Sequence, residues 1–144
     1  MCSQYFDSLG IESRQIEAWH FCDNEKDANE CADLTLEGIK RATTSSLAFF
    51  EHSKIPVPAK GDLDVITNWQ GEAVCIIQTQ SVSLVPFNQV TSEYAEIEGE
   101  GDKSLEYWKR VHWAYYQREL SSFGMSPTDD MLVVCQIFKV VFKS

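Results

Sequence analysis

Met131-Leu-Val-Val-Cys-Gln-Ile-Phe-Lys-Val-Val-Phe142 is an apolar run rich in β-branched residues, with Gln136 and Lys139 as its only polar interruptions. It reads as a strand. Upstream, Leu63 to Thr67 and Glu72 to Thr79 are two further β-branched segments. The four residues between them, Asn68-Trp69-Gln70-Gly71, have the length and the glycine of a hairpin loop. Val82 to Pro86 continues the sheet, Lys60-Gly61-Asp62 is a turn, and the Thr- and Ser-rich segment Ile39 to Ser46 reads as another strand entered through a bend.

Helical signals are interleaved with these strands. Asp23 or Asn24 caps a helix over Asp23 to Glu37, with Ala28, Cys31, Ala32 and Thr35 at helical spacing and Gly38 ending it. Thr91 caps a short acidic helix through Tyr94 and Ile97, broken by Gly99 and Gly101. Ser104 to Leu120 carries Leu105, Trp108, Val111, His112 and Tyr115 as a buried stripe, with Glu106 and Arg110 placed to pair on the outer face. Helices mixed with hairpin-linked strands predict an α+β fold with a small mixed or antiparallel sheet.

A chain of 144 residues, 44% of them hydrophobic, is long enough for one core and short for two. We therefore expect a single domain over 1–144. No apolar run approaches the roughly 20 residues of a membrane span, and Met1 to Gly10 has no basic or apolar leader pattern, so a cytoplasmic location is expected. Five cysteines without paired spacing point to reduced thiols, with Cys75 and Cys135 in the core. A net charge of -10 argues against binding duplex DNA or long RNA through phosphate neutralisation, while leaving room for a single nucleoside or a locally basic cleft.

Gly38-Ile39-Lys40-Arg41-Ala42-Thr43-Thr44 follows a helix end with an amine and several hydroxyls. Lys40 and Thr43 would face opposite sides of a flat strand, so they share a cleft only if the chain bends between them. Glu93, Glu96, Glu98, Glu100 and Asp102 form a dense acidic stretch, which reads either as a solvated face or as the source of a carboxylate partner for Lys40. Burial would lower the lysine pKa and a carboxylate would raise it. His20, His52 and His112 are scattered, with His112 on the apolar stripe, and no spacing matches a structural zinc site. Neither a P-loop nor a dinucleotide fingerprint is present. Neither metal nor cofactor is expected.

Gly38-x-Lys40-x-x-Thr43 resembles the G-x-K-x-x-T signature of the ASCH family, and Gly61-Asp62 before a strand is similar to that family's pattern. The similarity continues through Val85-Pro86-Phe87, Val90-Thr91, Tyr94-Ala95, Glu98-Gly99-Glu100-Gly101-Asp102, Ser104-Leu105, Tyr107-Trp108 and Val111-His112-Trp113. It ends with Val133-Val134-Cys135 and Phe138, covering roughly Trp19 to Phe142, the expected core. The resemblance implies a PUA-like barrel of about five or six strands flanked by helices, with a cleft for RNA or a modified nucleoside. Among characterised relatives are a ribonuclease and an amidohydrolase that deacetylates acetylcytidine. By position, that activity implies Lys40 as base, Thr43 as nucleophile and Glu98 as proton donor. Arg41, Thr44, Ser45, Glu100 and Trp69 would complete the substrate-binding surface, Ser45 standing where the amidohydrolase has an Arg. A non-catalytic RNA-binding module, or a ribonuclease, is the alternative reading.

Overall fold

The computed structural model describes residues 1–10 and 16–143. Its elements in chain order are α1 (Cys2–Leu9), β1 (Glu17–Trp19), α2 (Glu25–Leu36), β2 (Ala42–Ser46), α3 (Leu47–Ser53), β3 (Leu63–Thr67), β4 (Ala73–Pro86), α4 (Ser92–Glu98), α5 (Leu105–Ser121) and β5 (Leu132–Lys143). Among the described residues the strands form one sheet in the order β1-β3-β4-β5-β2. β1 runs parallel to β3, and the other neighbours are antiparallel. The fold is the expected α+β class, with the sheet curled into a half-barrel.

The curl comes from the long β4–β5 ladder, which pairs Cys75 with Lys143 at one end and Pro86 with Leu132 at the other. Its register slips between Ile76 and Ile77 and again between Thr79 and Ser81. Each irregularity bends the strand and increases its twist. Gln80 and Ser81 sit at the second slip, which is why the sequence suggests two strands where the chain makes one.

Each sheet face is covered by a different set of helices. Val133 and Cys135 of β5 pack with Phe87, Trp108, Tyr116 and Leu120 beneath α4 and α5. Phe138, on the opposite face, packs with Phe21, Cys31, Ala32 and Ile77 beneath α2. Tyr5 and Phe6 of α1 are buried against Val65 and Ile76, so the core begins well ahead of Trp19. α1 has no side-chain cap and spans two turns, too little periodicity to announce itself. α3 follows β2 without a break, capped by Ser46 Oγ accepting from the Phe49 amide at 3.1 Å.

Asn24 caps α2, Thr91 caps α4 and Ser104 caps α5, each accepting from the amide three residues on. The expected Glu106–Arg110 pair does not form; the Arg110 guanidinium instead lies over the Tyr107 ring, 5.5 Å from its centroid.

One junction positions the site. α4 ends at Gly99 with φ +77°, and a Cβ there would lie 2.5 Å from the Ile39 carbonyl oxygen. The Arg41 amide donates to the Ile97 carbonyl at 2.9 Å, so the end of α4 is docked onto the backbone that leads into β2. Gly99→Ala is therefore expected to cost about 2 kcal/mol or more, from left-handed strain with a backbone clash added, read as a lower urea midpoint.

Candidate functional site

Lys40 precedes β2, in the bend between Gly38 and Ala42, and its side chain turns inward. Only 2% of it is exposed. Its Nζ donates to the Ala42 carbonyl at 2.7 Å, to Glu100 Oε2 at 3.2 Å and to Glu98 Oε2 at 3.3 Å. It also lies 4.8 Å from the centre of the Phe21 ring. Burial works against the ammonium, but Glu100 and Glu98 outweigh it and hold the pKa above its ordinary value. The amine is charged at neutral pH with all three protons engaged. It is neither solvated nor depressed in pKa, and in this state it has no lone pair with which to act as a base.

Glu98 is buried and accepts four hydrogen bonds. Lys40 Nζ and His112 Nε2, the latter at 3.1 Å, contact Oε2. Thr44 Oγ1 donates to Oε1 at 2.6 Å and Trp108 Nε1 at 2.7 Å. Burial pushes this carboxyl up, yet His112 and Lys40 hold it well below the usual range. So saturated, it has no proton to donate at rest.

His112 joins the cluster from α5. Its Nδ1 lies 2.8 Å from the Trp108 carbonyl and its Nε2 faces the ionised Glu98, and both partners can only accept. Both ring nitrogens therefore carry protons and the ring is an imidazolium. Burial disfavours that charge, but Glu98 more than compensates and raises the pKa above 6.5. Lys40, Glu98, Glu100 and His112 thus form a quartet of two basic and two acidic side chains, with Glu100 the partly exposed member.

The quartet makes stability pH-dependent in a defined sense. His112, raised in the fold, stabilises fully below pH 6.5, and its contribution is lost as the pH rises through the folded value. Glu98, lowered in the fold, contributes above pH 4.5 and loses that contribution only as the pH falls through its own folded value. The urea midpoint should therefore decline above pH 6.5 in the wild type. In His112→Gln, which keeps a donor but has no ionisable proton, that decline should vanish; an unchanged slope would place the titration elsewhere.

The quartet sits at the edge of a cavity of about 660 Å³, within the size range of small-molecule sites. Trp19, His20, Phe21, Phe49, Phe50 and Tyr115 contribute aromatic surface, and Lys40, Thr43, Thr44, Ser45, Glu98, Glu100, His112 and Gln136 contribute polar groups. Glu100, 17% exposed, is the more accessible of the two clustered carboxylates. Register decides which hydroxyl does what. Thr44 pairs with Cys135 and Thr43 with Gln136, so they emerge on opposite faces of the sheet. Thr44 is committed to Glu98, with the Tyr94 hydroxyl 2.9 Å away. The Thr43 hydroxyl makes no hydrogen bond to a described residue, while its carbonyl accepts from Tyr94 at 3.0 Å.

Two expected contributors lie elsewhere. Arg41 lines a separate surface recess with Gly38, Ile97 and Lys139. Trp69 stays in the β3–β4 loop, its amide bonded to Asn29 and its ring 4.9 Å from His20.

A curled five-stranded sheet with a cleft above the segment that enters β2 is a PUA-like α+β domain. The ASCH domain model matches residues 17–142, and the chain belongs to this family, which is generally associated with RNA binding. It is similar to the ASCH domain from Lactobacillus crispatus at 41% identity and a TM-score of 0.89, covering 97% of this chain and 91% of that one. A protein from Enterococcus faecalis is 30% identical with a TM-score of 0.91, covering 98% and 85%. An ASCH protein from Zymomonas mobilis, at 11% identity and a TM-score of 0.53 over 86% of this chain and 65% of that one, shares the fold alone. No curated protein matches the sequence.

Proposed function

We propose that the cavity binds an uncharged modified nucleoside and hydrolyses an N-acyl amide on its base. The observation that carries this reading is a hydroxyl without a protein partner, Thr43, lining an aromatic cavity beside a buried ammonium–carboxylate cluster. Aromatic walls suit a base, and a hydroxyl beside a carboxylate and an ammonium has the elements of acyl transfer.

Electrostatics favours the free nucleoside over a nucleotide. Glu17, Asp62, Asp64 and Glu119 also line the cavity. Burial is the main cause that raises the Asp64 pKa; a hydrogen bond with Trp19 opposes it, and the charges of Asp62 and Glu17 add to it. A phosphate entering there would meet repulsion.

In this scheme Thr43 Oγ1 attacks the acyl carbon while its proton passes to Glu100. The Lys40 ammonium, its protons held by Ala42, Glu98 and Glu100, favours the oxyanion through its charge, the C–N bond breaks, and the proton returns to the base nitrogen. Water then cleaves the Thr43 ester and releases the carboxylic acid. Glu98 neither gives nor takes a proton; it anchors Lys40 and His112.

The test is release of acetate from acetylcytidine by the purified protein. Turnover by the wild type supports the reading. No turnover, together with tight binding of short RNA, would replace it with a non-catalytic RNA-binding module.

A further inference from the structure

Next to Glu100 two cysteines converge that the hydrolytic scheme does not use. Cys31, buried in α2, donates to Glu100 Oε1 at 3.1 Å, and its Sγ lies 3.7 Å from Cys22 Sγ. Both cysteines are free thiols. We propose that Cys22, Cys31 and Glu100 form a binding site for one thiophilic divalent cation of the zinc class, with its fourth coordination position open to the cavity.

The geometry fits such an ion. Two sulfurs held about 2.3 Å from a tetrahedral zinc lie about 3.8 Å apart, close to the spacing found here. One ligand atom from each of the three residues falls within 4.8 Å of the others. Only a small opening of the Cys31–Glu100 contact admits the metal in place of the thiol proton. Cys22 and Glu100 both line the cavity, so the ion has a route in and a vacant side toward it.

Two further observations support this reading. Cys22 has φ +62°, a left-handed conformation costly for a residue with a side chain, and it occupies the turn facing Cys31. Charge also balances. Two thiolates, one carboxylate and a dication sum to a single negative charge, which the Lys40 ammonium offsets from 3.2 Å beyond Glu100 Oε2. Without a cation, the hydrogen bond to Cys22 and burial hold the Cys31 thiol protonated. Binding would expel the thiol protons and leave Glu100 shared between the ion and Lys40, so the loaded site would take from the hydrolytic scheme the base that scheme assigns to Glu100.

The chelator-treated, reduced full chain would be titrated with Co²⁺ alone. One equivalent should produce thiolate-to-cobalt charge-transfer absorption and the strong visible bands of a tetrahedral ion, and Zn²⁺ should erase both. Cys22→Ser and Cys31→Ser should each abolish the charge-transfer band, whereas Cys2→Ser, in α1, should keep it. Glu100→Gln, checked for folding by circular dichroism, should weaken binding by about tenfold or more. Should the serine variants not fold, X-ray absorption of the zinc-loaded wild type decides: two sulfur ligands sustain the site, and a shell of oxygen and nitrogen alone overturns it. Absence of charge-transfer absorption in the wild type would also overturn it.

Discussion

Glu98→Gln should lower the unfolding free energy by about 3–5 kcal/mol, a large fraction of the 5–15 kcal/mol typical of a domain. Glu98 faces two cations, the Lys40 ammonium at 3.3 Å and the His112 ring at 3.1 Å, in a region closed to solvent. The substitution keeps the shape but leaves those cations with Glu100 as their only clustered anion. His112 is then expected to shed its proton, and Lys40 to sit partly uncompensated. Urea unfolding measures the loss directly. Adding Lys40→Met to Glu98→Gln should cost less than the sum of the single changes, because the second substitution removes a charge the first has stranded. A loss below about 1 kcal/mol for Glu98→Gln would mean that water reaches the cluster and screens it.

Thr43→Ala is expected to reduce acetylcytidine turnover by about four orders of magnitude or more while leaving KM within a few-fold of wild type. The hydroxyl has no structural bond to lose, so stability should barely change. Thr44→Ala offers the contrast. Its hydroxyl is bonded to Glu98 at 2.6 Å and near Tyr94, so it should lose stability and weaken catalysis only through the displaced carboxylate. If Thr44→Ala abolished turnover and Thr43→Ala did not, the nucleophile would be misassigned.

The two threonines show how far the sequence could be read. Lys40 and Glu98 stood out through the resemblance to the G-x-K-x-x-T family, because the residues alone also fit a solvated lysine and a solvated acidic face. Which threonine faces which side depends on the register of β2 against β5, and a slip of one residue exchanges them. That information lies in the partner strand. The requirement for a bend between Lys40 and Thr43 was legible, and the structure meets it by placing Lys40 ahead of the strand.

His112 was hidden for another reason. It lies one turn from Trp108, on the stripe that packs α5 against the sheet, and its partner is the C-terminal residue of a different helix. Nothing local distinguishes it from a core histidine. Cys22 and Cys31 likewise match no metal spacing, since their third companion, Glu100, arrives from 69 residues further on. Trp69 is an exposed loop tryptophan whose ring packs against His20, a residue that lines the cavity.

The most direct measurement is a titration of the Thr43→Ala protein with acetylcytidine and, separately, with its 5′-phosphate, followed by backbone amide chemical shifts. The nucleoside should bind more tightly, with the largest shifts at position 43 and at Phe49, Glu100 and Gln136 around the cavity. Tighter binding of the phosphate, or shifts confined to the recess around Arg41 and Lys139, would contradict it.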